Sequence, residues 1–135
     1  MRLVTTDYLK TVDVGTGTIW YSLYSTVMVK IPENIRYKMP EAVTFLKDGE
    51  CTQSKASSTA KQLKELRKEL AEIAPTDALL DFKNPNKQVP WKGHISKDVT
   101  SCANLYTTAD GKDLLLEVTA LLEYAAKANQ AVLSE

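Results

Sequence analysis

The clearest feature of this sequence is a narrow apolar stripe at helical spacing between residues 55 and 73. The stripe consists of Ala56, Leu63, Leu66, Leu70 and Ile73. These spacings place the side chains on one face of a helix. The opposite face carries lysines and glutamates, with Lys61 and Glu65, and Lys68 and Glu72, four residues apart. The pattern predicts a helix with a solvated outer face that covers a core built by the rest of the chain.

A second amphipathic helix is predicted at the C-terminal end of the sequence. Asp110 can serve as its N-cap, and Asp113 follows three residues later in a carboxylate version of the capping box. The apolar stripe then comprises Leu114, Val118, Leu121, Ala125, Ala128 and Val132, widened by Leu115 and Leu122. We expect this helix to pack against a sheet.

Strands are predicted in three places. Residues 3–14 alternate β-branched and polar residues and indicate one or two strands, with Tyr8, Val12 and Val14 facing inward. The apolar runs 78–82 and 105–108 indicate a buried strand and a short strand.

Two further helices are predicted before the central stripe. Between residues 19 and 31 an alternating and a helical pattern compete; the length of the run and Thr18 as an N-cap favour a helix, which Pro32 ends. Residues 40–47 form a short helix with Pro40 in its first turn and Gly49 as its C-cap. Val43 and Leu46 would face the core, and Gly15-Thr16-Gly17 is predicted as a turn.

Length and element order together predict one α+β domain over residues 1–135, with a small, mostly antiparallel or mixed sheet and about four helices packed on it. Lysine plus arginine and aspartate plus glutamate number 17 each, so no overall field attracts nucleic acid or an anionic membrane. No signal peptide or membrane span is apparent, and we expect a cytoplasmic protein. Cys51 and Cys102 lie far apart and are expected to be reduced thiols.

The residues that could carry chemistry are few. His94 is the only histidine, so a small enzyme would have to use it, with Cys102 as nucleophile and Asp98 as orienter. The ordinary alternative is a loop histidine near a structural cysteine. One histidine and two isolated cysteines also predict no metal site, and no cofactor motif is present. Trp91 is either an anchor that packs its loop on the core or a contact for a partner, and Tyr106 has the same ambiguity.

Two segments resemble immunity protein family seventy of bacterial polymorphic-toxin systems, a contact-dependent inhibition type. The first runs from Val14 to Val27 and joins Gly15-Thr16-Gly17 to the aromatic-rich stretch Trp20-Tyr21-Ser22-Leu23-Tyr24-Ser25-Thr26. The second comprises Pro90-Trp91, Ile95-Ser96, Val99-Thr100, Asn104-Leu105-Tyr106 and Thr107-Thr108-Ala109-Asp110-Gly111-Lys112-Asp113-Leu114. The resemblance implies a protein that binds a cognate secreted toxin domain encoded by the adjacent gene and has no catalytic activity.

That toxin is expected to be a nuclease such as a tRNase, and binding is expected to involve neither direct nucleic-acid contact nor a membrane. Acidic residues would complement a basic nuclease and raise the association rate. The candidate contacts are Glu50, Asp77, Asp81, Asp98 and Asp110, with Trp91, His94 and Tyr106. Asp81 has the alternative of bonding a neighbouring loop, and Asp110 that of capping a helix. A general adaptor that binds partners through the charged helix 55–73 is a further alternative.

Overall fold

A computed structural model describes residues 1–91 and 93–135 and confirms the predicted α+β class. The strands are β1 Arg2–Thr5, β2 Thr11–Asp13 and β3 Val132–Ser134. The α-helices are α1 Gly17–Lys30, α2 Glu33–Arg36, α3 Pro40–Asp48, α4 Ala56–Leu70 and α5 Leu114–Ala128. Short 3-10 turns lie at Gln53–Lys55 and Pro75–Asp77.

The sheet is antiparallel, with β1 between β2 and β3. Strand β3 is a correction, because the sequence pattern assigns Val132 to the last helix. Asn129 ends α5 in the left-handed conformation with φ 55°, which asparagine tolerates better than most residues. The chain then returns beside β1, where Val132 pairs with Thr5.

The turn between β1 and β2 corrects a second expectation. Val12 and Val14 are buried as predicted, but Tyr8 is 67% exposed and has φ 60°. Its backbone N–H donates to the Thr5 carbonyl, and the Asp7 carboxylate accepts from the backbone N–H of Leu9. The turn therefore directs Tyr8 away from the core.

Helices α4 and α5 pack mainly against each other, whereas the sequence predicts that the last helix packs on a sheet; α5 also touches β2. Leu63, Leu66 and Leu70 of α4 are fully buried. The ion pairs on the surface of α4 differ from the prediction. Lys68 pairs with Glu65 at 3.1 Å, and not with Glu72 as predicted. Lys64 reaches across to Glu123 of α5 at 3.4 Å.

Helices α1 and α3 form the other half of the core, and both were predicted. The ring of Trp20 meets that of Phe45 edge to face, with centroids 5.5 Å apart. Helix α1 begins at Gly17, so its N-cap is Thr16 and not Thr18. Gly49 terminates α3 with φ 72°, as a C-cap glycine should.

The predicted strands 78–82 and 105–108 are both wrong. Leu79 is buried, but its backbone bonds to hydroxyl groups of α1 and not to a neighbouring strand. In the other segment only Thr107 forms a bridge, with Asp113, across a tight turn. Both segments instead belong to the long connection between α4 and α5, residues 71–113, parts of which contact α1.

The start of α5 differs by one turn from the prediction. Asp113 is the N-cap, and its carboxylate accepts from the backbone N–H of Leu116 at 3.2 Å. It also contacts the Arg67 guanidinium at 2.6 Å. Asp110 accepts from the Thr108 hydroxyl within the preceding turn. The residue predicted as the second member of the capping box is thus the cap itself.

Candidate functional site

A buried ring of hydrogen bonds fastens the long connection to α1. The backbone N–H of Leu79 donates to Thr26 Oγ1 at 2.9 Å, and Ser22 Oγ donates to the Leu79 carbonyl at 2.6 Å. The Tyr106 hydroxyl lies 2.9 Å from Thr26 and 3.0 Å from Ser22. With Ser22 donating to the Leu79 carbonyl, the shortest of these contacts are all satisfied when Thr26 donates to Tyr106 and Tyr106 donates to Ser22.

Tyr106 has a structural role, because its hydroxyl holds the long connection to α1. Its side chain is only 2% exposed, so its hydroxyl cannot serve as the surface contact considered above. Burial raises the pKa of Tyr106 to about 12. Residues 78–82 and 105–108, which were predicted as strands, are thus held in place by side-chain hydrogen bonds from α1. In the low-dielectric interior such hydrogen bonds strengthen one another.

Beside the ring, α1 and the connection form an aromatic surface made of Tyr21, Tyr24, Asp81, Phe82 and Lys83. Phe82 meets Tyr24 edge to face at 5.7 Å and lies 5.9 Å from Tyr21. Tyr21 is 37% exposed, which leaves part of its ring available to a partner. Trp20, Lys47 and the aromatic side chains line a cavity of about 350 Å³ here.

Asp81 is the one predicted acidic residue that belongs to this surface. It accepts from the Tyr21 hydroxyl at 3.2 Å and from the backbone N–H of Lys83 at 2.9 Å. Burial raises the pKa of Tyr21, and the hydrogen bond to Asp81 adds to the effect. The carboxylate thus orients Tyr21 and bonds its own loop, the alternative that the sequence left open.

Trp91 packs against Tyr106 of the ring, edge to face with centroids 6.4 Å apart. Its indole N–H is buried and has no hydrogen-bond partner in the described parts of the chain. Together with Ile19 and the exposed His94, Trp91 lines a cavity of about 230 Å³. Trp91 therefore packs its loop against the core and also lines a small surface cavity.

The proposed pairing of Cys102 with His94 receives no support from the geometry. Cys102 is fully buried and donates its S–H to the Ala74 carbonyl at 3.3 Å. Burial raises the pKa of this thiol to about 11, opposite to the shift that activates a nucleophile. His94 lines the Trp91 cavity, and Cys102 does not. Over residues 1–91 and 93–135, no group of three metal-ligating side chains converges.

The remaining acidic candidates are dispersed. Glu50 lies at the rim of a groove beside α3, and Asp77 ends the 3-10 turn before Leu79. Asp98 is exposed in the loop after Trp91, and Asp110 lies in the turn before α5. The eight predicted residues do not form a single site. Cys51 and Cys102 are both free thiols, as expected.

Sequence reasoning missed Tyr21, Tyr24 and Phe82 as a unit. The available signal was the pair of tyrosines three residues apart in α1, which places them on one helix face. Phe82 could not be joined to them, because that contact depends on how the long connection is fastened. Within the described residues, no helix has the length and apolar character needed to cross a membrane.

Comparison with known proteins agrees with the resemblance noted in the sequence. No curated protein and no solved structure matches the chain. The model of one family, described as Immunity protein 70, matches residues 3–133. This match includes all five helices, the long connection and the aromatic surface. The chain therefore belongs to the Immunity protein 70 family, a family of proteins that neutralise toxins.

Proposed function

We propose that this protein acts in the cytoplasm and neutralises one cognate secreted toxin domain, encoded by the adjacent gene, by covering its active site or the path of its substrate. The toxin is a nuclease such as a tRNase. The protein contributes a surface and no reaction. The observation that supports this proposal most directly is the aromatic surface fastened to α1.

The chemistry of that surface suits tight binding. Tyrosine and tryptophan contribute a disproportionate share of interface energy, because they bury a large area while losing few rotamers. Tyr21, Tyr24 and Phe82 already contact one another. The ring around Tyr106 holds their two backbone segments together, so little further ordering is needed when a partner binds.

Carboxylates near the aromatic surface are complementary in charge to a basic partner. Asp81 offers a carboxylate oxygen next to the aromatic rings, and the exposed Asp77 and Asp98 lie in the same long connection. Such charges accelerate encounter with a cationic nuclease more than they add to final affinity. His94 and Trp91, at the smaller cavity, are the peripheral contacts of the same proposed interface.

The test uses the toxin domain encoded by the neighbouring open reading frame. Wild-type protein should co-purify with it and restore growth to cells that express it. A Tyr21→Ala, Phe82→Ala double variant should bind at least about tenfold more weakly. Tyr37→Ala is the matched control, since Tyr37 is 84% exposed and lies outside the surface.

Three outcomes of this experiment would contradict all or part of the proposal. Full toxin activity in the presence of excess wild-type protein would eliminate the proposed function. Unchanged affinity of the double variant, with circular dichroism that matches the wild type, would leave the inhibitor but reject this surface. Equal weakening by Tyr37→Ala would show that the aromatic surface is not specific.

A further inference from the structure

A groove separates α3 from β3 on another part of the molecule. Its volume is about 560 Å³, the largest of the cavities described above. Phe45, Cys51 and Leu133 supply its apolar lining. Its charged side chains are Glu41, Asp48, Glu50 and Lys55. Three carboxylates thus oppose one ammonium around an apolar lining.

Two of these carboxylates have no partner among the described residues. Glu41 accepts a hydrogen bond from the Ser58 hydroxyl, which ties α3 to α4. Asp48 and Glu50 make neither an ion pair nor a side-chain hydrogen bond within residues 1–91 and 93–135. Their charges are therefore available to a ligand.

The position of these two residues is unfavourable for the helix that carries them. Asp48 is the last residue of α3, and Glu50 follows the Gly49 C-cap. The C-terminal end of a helix carries partial negative charge, so carboxylates there are destabilising and cations are preferred. Lys47 is the only basic residue in that last turn. A bound cation would offset both the carboxylates and the helix end.

The combination of an apolar lining and an acidic rim fits one kind of side chain. Arginine and lysine lay an aliphatic stem along apolar surface and keep the charged head outside. An arginine head can also bond two carboxylate oxygens at once. Small metal ions fit less well, because the carboxylates of the groove do not converge: within the described residues, no group of three metal-ligating side chains does so.

We propose that this groove binds an arginine- or lysine-bearing segment of the toxin domain. The inference rests on the proposed function and names the partner chemistry of a second contact. Helix α3 connects the two surfaces: its Lys47 lines the aromatic cavity, and its Asp48 lines the groove. One partner lying across α3 would reach both.

The experiment measures association of the purified toxin domain with single charge-reversal variants by surface plasmon resonance. Asp48→Lys and Glu50→Lys should each slow association about tenfold or more and reduce its dependence on salt. Glu72→Lys is the control, because Glu72 is exposed just after α4 and lies outside the groove. It should change the rate less than about threefold. Asp48→Lys should fold, since it places a preferred cation at a helix end.

A second probe keeps the inference independent of the toxin. A short arginine-rich peptide is titrated into isotopically labelled wild type and into Glu50→Lys, and backbone amide shifts are followed by NMR. Shifts confined to Thr44, Thr52 and Leu133 in the wild type, and lost in Glu50→Lys, would support the groove. Absence of toxin binding would overturn the proposed function alone. Identical toxin binding by Glu50→Lys and Glu72→Lys, or peptide shifts spread over the surface, would overturn the groove.

Discussion

Tyr106 Oη lies 2.9 Å from Thr26 Oγ1 across 80 positions of sequence, inside the protein. Thr26 and Ser22 are one helical turn apart in α1, and together they hold both Tyr106 and the backbone of Leu79. A single face of one helix therefore determines the path of the long connection, and through it the position of Phe82 and Trp91.

Removing the hydroxyl should reveal this role. We expect Tyr106→Phe to lower the free energy of unfolding by about 1–2 kcal/mol, because Ser22 and Thr26 then lose a buried partner. Urea denaturation followed by circular dichroism measures the loss. Tyr37→Phe, at an exposed tyrosine, should be neutral within error. Equal stability of Tyr106→Phe and wild type would mean that the ring contributes nothing net.

The same tyrosine should make the protein sensitive to alkali. The pKa of Tyr106 is about 12 in the folded protein and 10 in the unfolded chain, so the folded protein keeps this proton up to a higher pH. The contribution of the protonated Tyr106 to the free energy of unfolding is complete below pH 10 and is lost as the pH rises from 10 towards 12. Between pH 10 and 12, the free energy of unfolding should therefore fall by roughly 2 kcal/mol less in Tyr106→Phe than in wild type. Parallel stability-against-pH profiles for the two proteins would contradict this assignment.

The start of α5 offers a paired test of two aspartates. Asp113→Ala removes both an N-cap bond and a partly buried contact with Arg67, so a loss of about 1–3 kcal/mol is expected. Asp110→Ala should cost much less, because Asp110 only bonds within its turn and meets Lys112 at 3.6 Å in solvent. Thermal denaturation of both variants measures the difference. A larger loss for Asp110→Ala would restore the capping box predicted from sequence.

Cys102 should be inert in the folded protein. Its burial and its raised pKa, about 11, predict that a disulfide reagent at neutral pH modifies it only after unfolding. The Cys51→Ala variant isolates the Cys102 signal, and the same reaction in denaturant gives the control rate. Fast labelling of native Cys51→Ala would revive the small-enzyme alternative.

Asp48→Asn should stabilise the protein. Removing a negative charge at the C-terminal end of α3 is expected to raise the free energy of unfolding by about 0.3–1 kcal/mol at low salt, and less at high salt. Asp98→Asn, in an exposed loop, provides the comparison outside a helix terminus. A loss of stability in Asp48→Asn would show that the carboxylate has a structural partner.

The sequence predicts the long helices well because each repeats its pattern over several turns. Leu63, Leu66 and Leu70 identify α4 without information from elsewhere in the chain. The error at Val132 has a local cause: the apolar stripe of α5 continues in phase past Asn129, although that residue ends the helix. Periodicity alone does not show where a chain turns.

The connection and the candidate surfaces required contacts that no local pattern contains. Residues 78–82 look like a strand because they are apolar, yet the groups that satisfy Leu79 are hydroxyls more than fifty positions earlier. The same holds for Tyr21 and Phe82, which are far apart in sequence and meet only in the fold. Trp91 could be recognised as an anchor from its type, but its contact with Tyr106 could not.

The central place of β1 in the sheet joins residues 2–5 to residues 132–134, which are far apart in sequence. Arg2 pairs with Glu135 at 3.1 Å across 133 positions, beside the register that joins Leu3 to Ser134. During synthesis β1 can pair with β2 almost at once, but its other edge stays open until β3 leaves the ribosome. A prematurely terminated copy would expose that edge to proteolysis or aggregation. The sheet is therefore closed on this side only when residues 132–134 join it, long after β1 and β2 have paired.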